Sequence, residues 1–321
     1  MDISKNRQEP RVIREIMRHA LGLDTFGIRE LTAGQCNALY AVTLSDRRDV
    51  VLKIAAQAGL RRGEQWLMTG EVEAMKAVRE TGLPVPEILF EDLSGETIGI
   101  PLFIMEYMPG VCLGTVCRSW SSEEKADWYR KIGQTIAQIS QIRHDTFGIV
   151  SSPEQFFDLF SFYRHMLGML FADAADLQVN LGAEPQDILA LLDTRSEIFR
   201  EVGEPCLVHY DIWENNLMGQ EGSLCGILDW ERAIWGEPLM EERFRSYAVN
   251  RALCEGFGKT EFTLAESERM LWYDLLMDAA LMVDVFARQY ESTAQYDRAK
   301  ARFVRSFAAL QQPIRVFVPE K

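Results

Sequence analysis

His209-Tyr-Asp-Ile-Trp-Glu-Asn-Asn216 places a histidine, two carboxylates and two asparagines within eight positions, and Ile227-Leu-Asp-Trp-Glu231 follows after a short polar connection. Both stretches lie among short apolar runs that read as small strands: Cys-Leu-Val before His209, Leu-Met-Gly after Asn216, Gly-Ile-Leu before Asp229. A carboxylate set beside Ile227, Leu228 and Trp230 is costly to bury unless a cation compensates it. A hairpin-like return between the two stretches brings Asp229 back beside Asn216. That pairs one carboxylate with one amide as ligands for a metal. Magnesium suits such a pair, since it takes carboxylate, amide and water oxygens and few protein ligands. Asp211 is then left to accept a hydrogen bond from a substrate hydroxyl and to take its proton late. His209 has only His19, His144 and His165 for company. A brace for the loop therefore fits it better than a zinc ligand.

Upstream, Val50-Val51-Leu52-Lys53 ends a strand whose hairpin partner is Ala38–Leu44, across the polar turn Ser-Asp-Arg-Arg. Lys53 is placed to reach into a cleft and meet phosphate oxygens. The next apolar periodicity, over 64–81, predicts a helix ended by Gly82-Leu-Pro-Val-Pro86. Glu71 lies on its inner side, four and seven residues before Met75 and Val78, and can pair with Lys53. Glu73 points outward with Lys76. A strand-end lysine in solvent and a solvated helix carboxylate are the competing readings of each residue alone. Phosphoryl transfer rests on positioning and charge neutralisation, and Lys53, Asp211, Asn216 and Asp229 supply its parts in a workable order.

The chain has 321 residues, more than one domain of ~100–200 residues usually holds. Helical periodicity over 11–22 and strands near 88–90 and 101–108 make residues 1–108 strand-rich. Pro109-Gly110 breaks the chain there. Residues 109–321 are mostly helical, with predicted helices over 123–142, 154–172, 185–201 and 265–290. The fold class expected is α+β in two lobes. Six cysteines fall at irregular spacing with no paired motif, which predicts reduced thiols. The start of the chain does not read as a signal peptide, and no apolar run reaches the ~20 residues of a membrane span. A cytoplasmic protein with no membrane partner is expected. Residues 1–108 carry 13 Lys+Arg against 16 Asp+Glu and the remainder 21 against 32, so most of the net charge of −14 sits in the second part. This argues against nucleic acid as a partner. It is compatible with a cationic small ligand, or with solubility alone.

Taken together, these residues resemble the aminoglycoside phosphotransferase and choline kinase-like family. The resemblance runs from about residue 25 to about 245. It is carried by the His-x-Asp-x-x-x-x-Asn loop ending at Asn216, the apolar-apolar-Asp-Trp-Glu motif at Asp229, and Val-Val-Leu-Lys ending at Lys53. It implies a two-lobed protein kinase-like fold, with residues 1–108 as a nucleotide-binding lobe. It also implies Mg2+ as cofactor, ATP or GTP as phosphoryl donor, and a small-molecule hydroxyl as acceptor. Glu71 would be the family's helix glutamate. The backbone of Glu106 and Met108 would meet the purine, and Gly34, Gln35, Cys36 and Asn37 would cover the phosphates. Tyr210 stands where the family usually has Gly, Glu214 where it has Pro, and Gly236-Glu237-Pro238 where it has Gly-Asp-Pro.

For the acceptor pocket the resemblance implies an acidic wall, with Asp158, Glu231, Glu237, Glu241, Asp274 and Asp278 as candidates, and Trp213 is a candidate ring to stack on a sugar or meet a quaternary ammonium. An aminoglycoside-like amino sugar ranks first. Choline or ethanolamine, homoserine and fructosamine-type acceptors are the alternatives. A catalytically silent nucleotide-binding scaffold is the reading of another class, and the presence of Lys53, Asp211, Asn216 and Asp229 speaks against it.

Overall fold

In a computed structural model, residues 4–32, 34 and 36–319 are described. The chain opens with helix α1 (Pro10–Leu21), started by Pro10 at its first turn and ended by Gly22 in a left-handed conformation. Strands β1 (Thr25–Leu31), β2 (Ala38–Leu44) and β3 (Asp49–Ile54) follow, then α2 (Leu67–Arg79), β4 (Ile88–Asp92) and β5 (Leu102–Glu106). The five strands form one sheet in the order β1-β2-β3-β5-β4, antiparallel throughout. Alternation along β3 sorts its residues between two cores. Val50, Leu52 and Ile54 pack with Ile13, Ile16 and Met17 of α1. Val51 faces the other way, with Val72, Met75 and Val78 of α2 in the larger core that continues into the second half of the chain. Lys53 shares the Val51 side by the same period.

The second half adds β6 (Val111–Cys112), α3 (Leu113–Val116), α4 (Ser122–Ile139), β7 (Phe147–Ile149), β8 (Gln155–Phe156), α5 (Leu159–Asp176), α6 (Pro185–Asp193) and α7 (Ser196–Arg200). Then come β9 (Cys206–Val208), β10 (Leu217–Gln220), β11 (Ser223–Ile227), β12 (Ile234–Gly236), α8 (Arg251–Phe257), α9 (Leu264–Ala287) and α10 (Ala294–Leu310). Two small sheets, β11-β10-β6 and β8-β7-β12-β9, carry the loops between the helices. The whole is α+β, with the large sheet first and the helices after it.

Several expectations need correction. β1 was not anticipated: it is an edge strand with no fully buried residue, so it lacks an alternating apolar signal. The helix predicted over 185–201 is two helices. The Thr194 hydroxyl and amide both turn back to the Leu191 carbonyl and close the first of them. The helix predicted from 154 starts at Leu159, because the Asp158 carboxylate accepts the Ser161 N–H and caps it there. α10 also lay outside the reading. Its inward positions are Ala299, Phe303, Ser306 and Leu310, two of them too small or too polar to mark a buried stripe.

The six cysteines carry free thiols, three buried and three half-buried. Among the described residues, no helix is long and apolar enough to cross a membrane.

Candidate active site

Lys53 is 1% exposed, yet its ammonium meets three carboxylates. Nζ lies 2.6 Å from Glu71 Oε2, 2.8 Å from Asp229 Oδ1 and 3.0 Å from Glu231 Oε2. Glu71 arrives on α2, which can sit close because Gly70 precedes it. A Cβ at Gly70 would stand 2.9 Å from the Val150 carbonyl oxygen. Glu73 faces out, to Ser151, as its position on the helix requires. Asp229 and Glu231 come from the turn after β11, and Glu231 is held by Asn37, whose Nδ2 donates to its Oε2 at 2.5 Å. Asn37 Oδ1 in turn accepts the Ala56 N–H, so this asparagine ties the β1–β2 connection to the end of β3 and to the Asp229–Glu231 turn. Gly34 and Cys36 belong to the same connection; Gln35 lies outside the described residues.

Burial opposes the Lys53 charge, but Asp229, Glu231 and Glu71 outweigh it and hold its pKa well above the ordinary lysine value. Glu71 goes the other way. Burial pushes it up to about 8 against the pull of Lys53, and the negative charges of Asp229 and Glu231 add to the rise. Desolvation opposes the charge of Asp229, although 40% of its side chain is exposed, and Lys53 outweighs it and holds the pKa below its ordinary value. Oxygens of Glu71, Asp229 and Glu231 lie within 4.8 Å of one another, three carboxylates around one ammonium. The donors are oxygens and the negative charge is in surplus, which suits a hard divalent cation.

The His209–Asn216 loop lies beside this cluster. Leu217 pairs with Ile227, and the Leu228 N–H donates to the Asn216 carbonyl at 2.8 Å, so Asn216 and Asp229 stand at the same end of the β10–β11 hairpin. Asn216 Nδ2 donates to the Asp211 carboxylate at 3.0 Å and to the Asp211 carbonyl at 2.9 Å. His209 is fully buried and bridges the two motifs: Nε2 lies 2.9 Å from the Leu228 carbonyl and Nδ1 3.3 Å from the Asp211 amide. That pattern assigns the proton to Nε2, and burial brings the ring's pKa down to about 4, so it braces the loop as a neutral imidazole.

Tyr210 and Asp229 both have left-handed backbones, φ 69° and 65°. Glycine adopts this conformation without strain, and Tyr210 and Asp229 hold it with a side chain attached. Glu214 accepts from Tyr129 Oη at 2.9 Å and pairs with Arg243. Burial is the main influence on Asp211 and pushes its carboxyl up to about 8. Arg232 opposes the rise; Asp229, Glu242 and Glu241 add to it.

The sequence profile of the family described as "Phosphotransferase enzyme family" (APH) matches residues 27–241. The chain belongs to that family. Solved structures similar to this chain include a candidate aminoglycoside phosphotransferase from Ralstonia eutropha JMP134, 15% identical, TM-score 0.63, covering 94% of this chain and 96% of that one. Another is a thermostable mutant of aminoglycoside phosphotransferase APH(4)-Ia, 17% identical, TM-score 0.66, covering 92% and 98%. Their likeness establishes a protein kinase-like fold. A curated mouse relative, acyl-CoA dehydrogenase family member 10, is 24% identical over 280 residues, which cover 75% of this chain. The chain spans about a quarter of the length of that mouse protein.

The remaining candidates fall apart into different environments. Glu106 gives its N–H to the Glu87 carbonyl, so that N–H is not free; Met108 follows beside Gly226 of β11. Trp213 is partly exposed on the loop. The acidic wall does not form. Glu231 is committed to Lys53, and Asp158 caps α5. Glu237 binds Arg269 at 2.7 Å, Asp274 lies 3.4 Å from Arg245, and Asp278 pairs with Arg245 and Arg302 at 2.9 and 2.6 Å. These carboxylates neutralise buried arginines. The charge count of the second half therefore says little about its cleft.

Glu241 is likewise internal. Its carboxylate accepts the N–H groups of Tyr210, Ile212 and Glu242 at 3.1, 2.8 and 3.0 Å, and so holds the loop from beneath. Glu241→Leu should strand these donors and destabilise the fold by about 2 kcal/mol. Urea denaturation reads this, and a loss below about 0.5 kcal/mol would deny Glu241 the role of loop support. Arg232 escaped the sequence reading. It lies three positions after Asp229, but its partner Asp284 is on α9, out of reach of any local pattern.

Proposed function

We propose that this chain is a magnesium-dependent O-phosphotransferase, moving the γ-phosphoryl group of ATP or GTP to a hydroxyl of a small molecule. The observation that carries the reading is the meeting of Lys53 with Glu71, Asp229 and Glu231 beside the Asp211–Asn216 loop. In this proposal residues 1–108 hold the nucleotide and residues 109–321 bring the acceptor and the loop. Asp229, Asn216 and the neighbouring carboxylates would hold the metal, which supplies neutralisation of phosphate charge. Lys53, steadied by Glu71, places its ammonium on phosphate oxygens. Asp211 accepts a hydrogen bond from the acceptor hydroxyl and orients it in line. The bond from the γ-phosphorus to the bridging oxygen breaks, and the nucleoside diphosphate leaves with the electron pair. The acceptor oxygen bonds to phosphorus and its proton passes to Asp211. Asn216 keeps the Asp211 carboxylate in place.

The neighbours solved with ADP and hygromycin B, or with streptomycin and ATP, support nucleotide and small-alcohol substrates for the fold. ADP or GDP release on adding candidate alcohols tests the proposal. No release with any alcohol, in a protein that still binds nucleotide, would favour the silent scaffold.

The protonation of Asp211 gives a further check. A carboxyl pushed up to about 8 is neutral below that pH and accepts a proton only above it. kcat/KM should therefore rise with pH, with a midpoint above the ordinary carboxylate range. Arg232→Gln removes the charge that opposes the rise and should move the midpoint higher. An unchanged midpoint would rule out that coupling.

A further inference from the structure

Met166 and Met169 of α5 and Met277 of α9 line a cleft beside the catalytic loop, closed on its other side by Arg61, Glu64 and Arg232. It encloses about 90 Å³, well short of the ~300 Å³ at which small-molecule pockets begin. The charges on its wall are matched by one another. Three guanidiniums, of Arg61, Arg232 and Arg288, stand against Glu64 and Asp284. The third negative charge comes from Asp211. Burial opposes the charge of Arg232, and Asp211, then Asp284, outweigh burial and raise its pKa. The balance of charge closes only with the catalytic loop included.

Asp284 is the carboxylate that all three arginines reach. It lies on α9 seven residues after Met277, so the two share a helix face. Its Oδ1 lies 2.8 Å from Arg61 Nε and 3.7 Å from Arg288 Nη2, and its Oδ2 accepts from Arg232 Nη2 at 3.4 Å. The two oxygens serve two parts of the site. On the Oδ1 side, Arg61 also lies 2.5 Å from Glu64, just ahead of α2, the helix that brings Glu71 to Lys53. Gly59 fits against α9 at this point, where a Cβ would stand 2.9 Å from the Ala287 carbonyl oxygen. The head of α2 is thus fastened to α9. On the Oδ2 side, Arg232 belongs to the turn that carries Asp229 and Glu231, and it presents its charge to Asp211. Asp284 is 1% exposed, so water screens its charge little.

We propose that Asp284 is a positioning residue for phosphoryl transfer: one buried carboxylate holds Arg61 at the head of α2 and Arg232 beside Asp211, and so sets the nucleotide side and the acceptor side of the site together. This rests on the phosphotransferase reading and adds to it a residue that touches neither substrate. Through Arg61 and α2, Asp284 steadies Glu71 beneath Lys53. Through Arg232 it keeps a guanidinium facing Asp211 without letting it close onto the carboxylate. Once the charge at 284 is gone, Arg232 is drawn onto Asp211 and engages the oxygen that the acceptor hydroxyl needs, while Arg61 keeps only Glu64.

The test compares wild type, Asp284→Asn and Asp284→Glu as full chains. Diphosphate release is measured with magnesium, ATP or GTP and the alcohol that wild type uses best, and binding of the magnesium–nucleoside diphosphate is measured by calorimetry. Asp284→Asn should lower kcat/KM for the alcohol about tenfold and weaken diphosphate binding about threefold, the size of coupling expected of groups that share a partner. Asp284→Glu, which keeps the charge, should restore part of both. Arg232→Gln should also lower kcat/KM for the alcohol, and adding Asp284→Asn to it should cost no more. A lower thermal midpoint with unchanged kcat/KM and diphosphate affinity would leave Asp284 a structural part only and overturn the inference. So would effects of Asp284→Asn and Arg232→Gln that simply multiply. If Asp284→Asn does not fold, Arg61→Gln and Arg232→Gln decide. Sharing Asp284, they should fail to multiply in kcat/KM for the nucleotide, and a simple product overturns the inference. Wild-type protein that binds the diphosphate yet releases none with any alcohol overturns the phosphotransferase reading alone, and the diphosphate affinity of Asp284→Asn then still judges Asp284.

Discussion

Asp211→Asn should slow phosphoryl transfer by about 10²–10⁴-fold, the range for loss of a positioned general base, while nucleotide binding stays nearly intact. The substitution is chosen for what it keeps. An asparagine at 211 still offers an oxygen to Asn216 Nδ2, and the Asp211 carbonyl contact at 2.9 Å does not involve the side chain. The loop conformation, held by His209 and Glu241 through backbone amides, does not depend on the charge at 211. What is lost is the negative charge that draws the acceptor hydroxyl into line and receives its proton. Burial already disfavours that charge, since it pushes the carboxyl up to about 8. Removing it should therefore raise the thermal midpoint even as activity falls, the opposition expected where a site is strained for function. Retention of more than a tenth of wild-type turnover would end the role given to Asp211.

Lys53→Met is the second large effect, on stability as well as on turnover. Methionine keeps the volume of the stem but leaves Glu71, 1% exposed, without its cation. Its carboxyl, already pushed up to about 8 by burial, then loses the pull of Lys53 and rises further. The sign follows from linkage: the folded pKa of Glu71 is higher in the variant than in wild type. Below about 8 both proteins hold Glu71 protonated and differ little through it, and above that value the variant loses up to ~1.4 kcal/mol per pH unit relative to wild type. Urea denaturation at pH 7 and at pH 9 should show the gap to wild type widening with pH. The double variant Lys53→Met, Glu71→Gln should recover stability at the higher pH but no turnover. A double variant no more stable than the single one would show that Glu71 is not the group left uncompensated.

The catalytic loop and the metal motif were legible because each is local. Their residues are read within eight positions of one another, and the hairpin that joins them is written in two apolar runs with a polar turn. Lys53 and Glu71 were legible for a related reason. Strand alternation and helical spacing fix which side a residue faces, and both periods were visible before any contact was known. The acidic wall was misjudged because charge composition does not record pairing. Asp274 and Asp278 share a helix face, as their spacing required, but the face turns inward onto Arg245 and Arg302.

The amino-acid sequence by itself determined most of the elements that carry the site, the pairing of Lys53 with Glu71, the return of Asp229 beside Asn216, and the family to which they belong; that Glu231 also meets Lys53 it did not show. Short-range periodicity and the energetic demand of a buried carboxylate for a cation are enough for that. Only the tertiary structure decided which carboxylates are paired, that α5 and α9 present methionines to the cleft, and that Arg232 stands between Asp284 and the charge of Asp211. These depend on which residues far apart in the chain neutralise one another, and that balance is set when the helices pack.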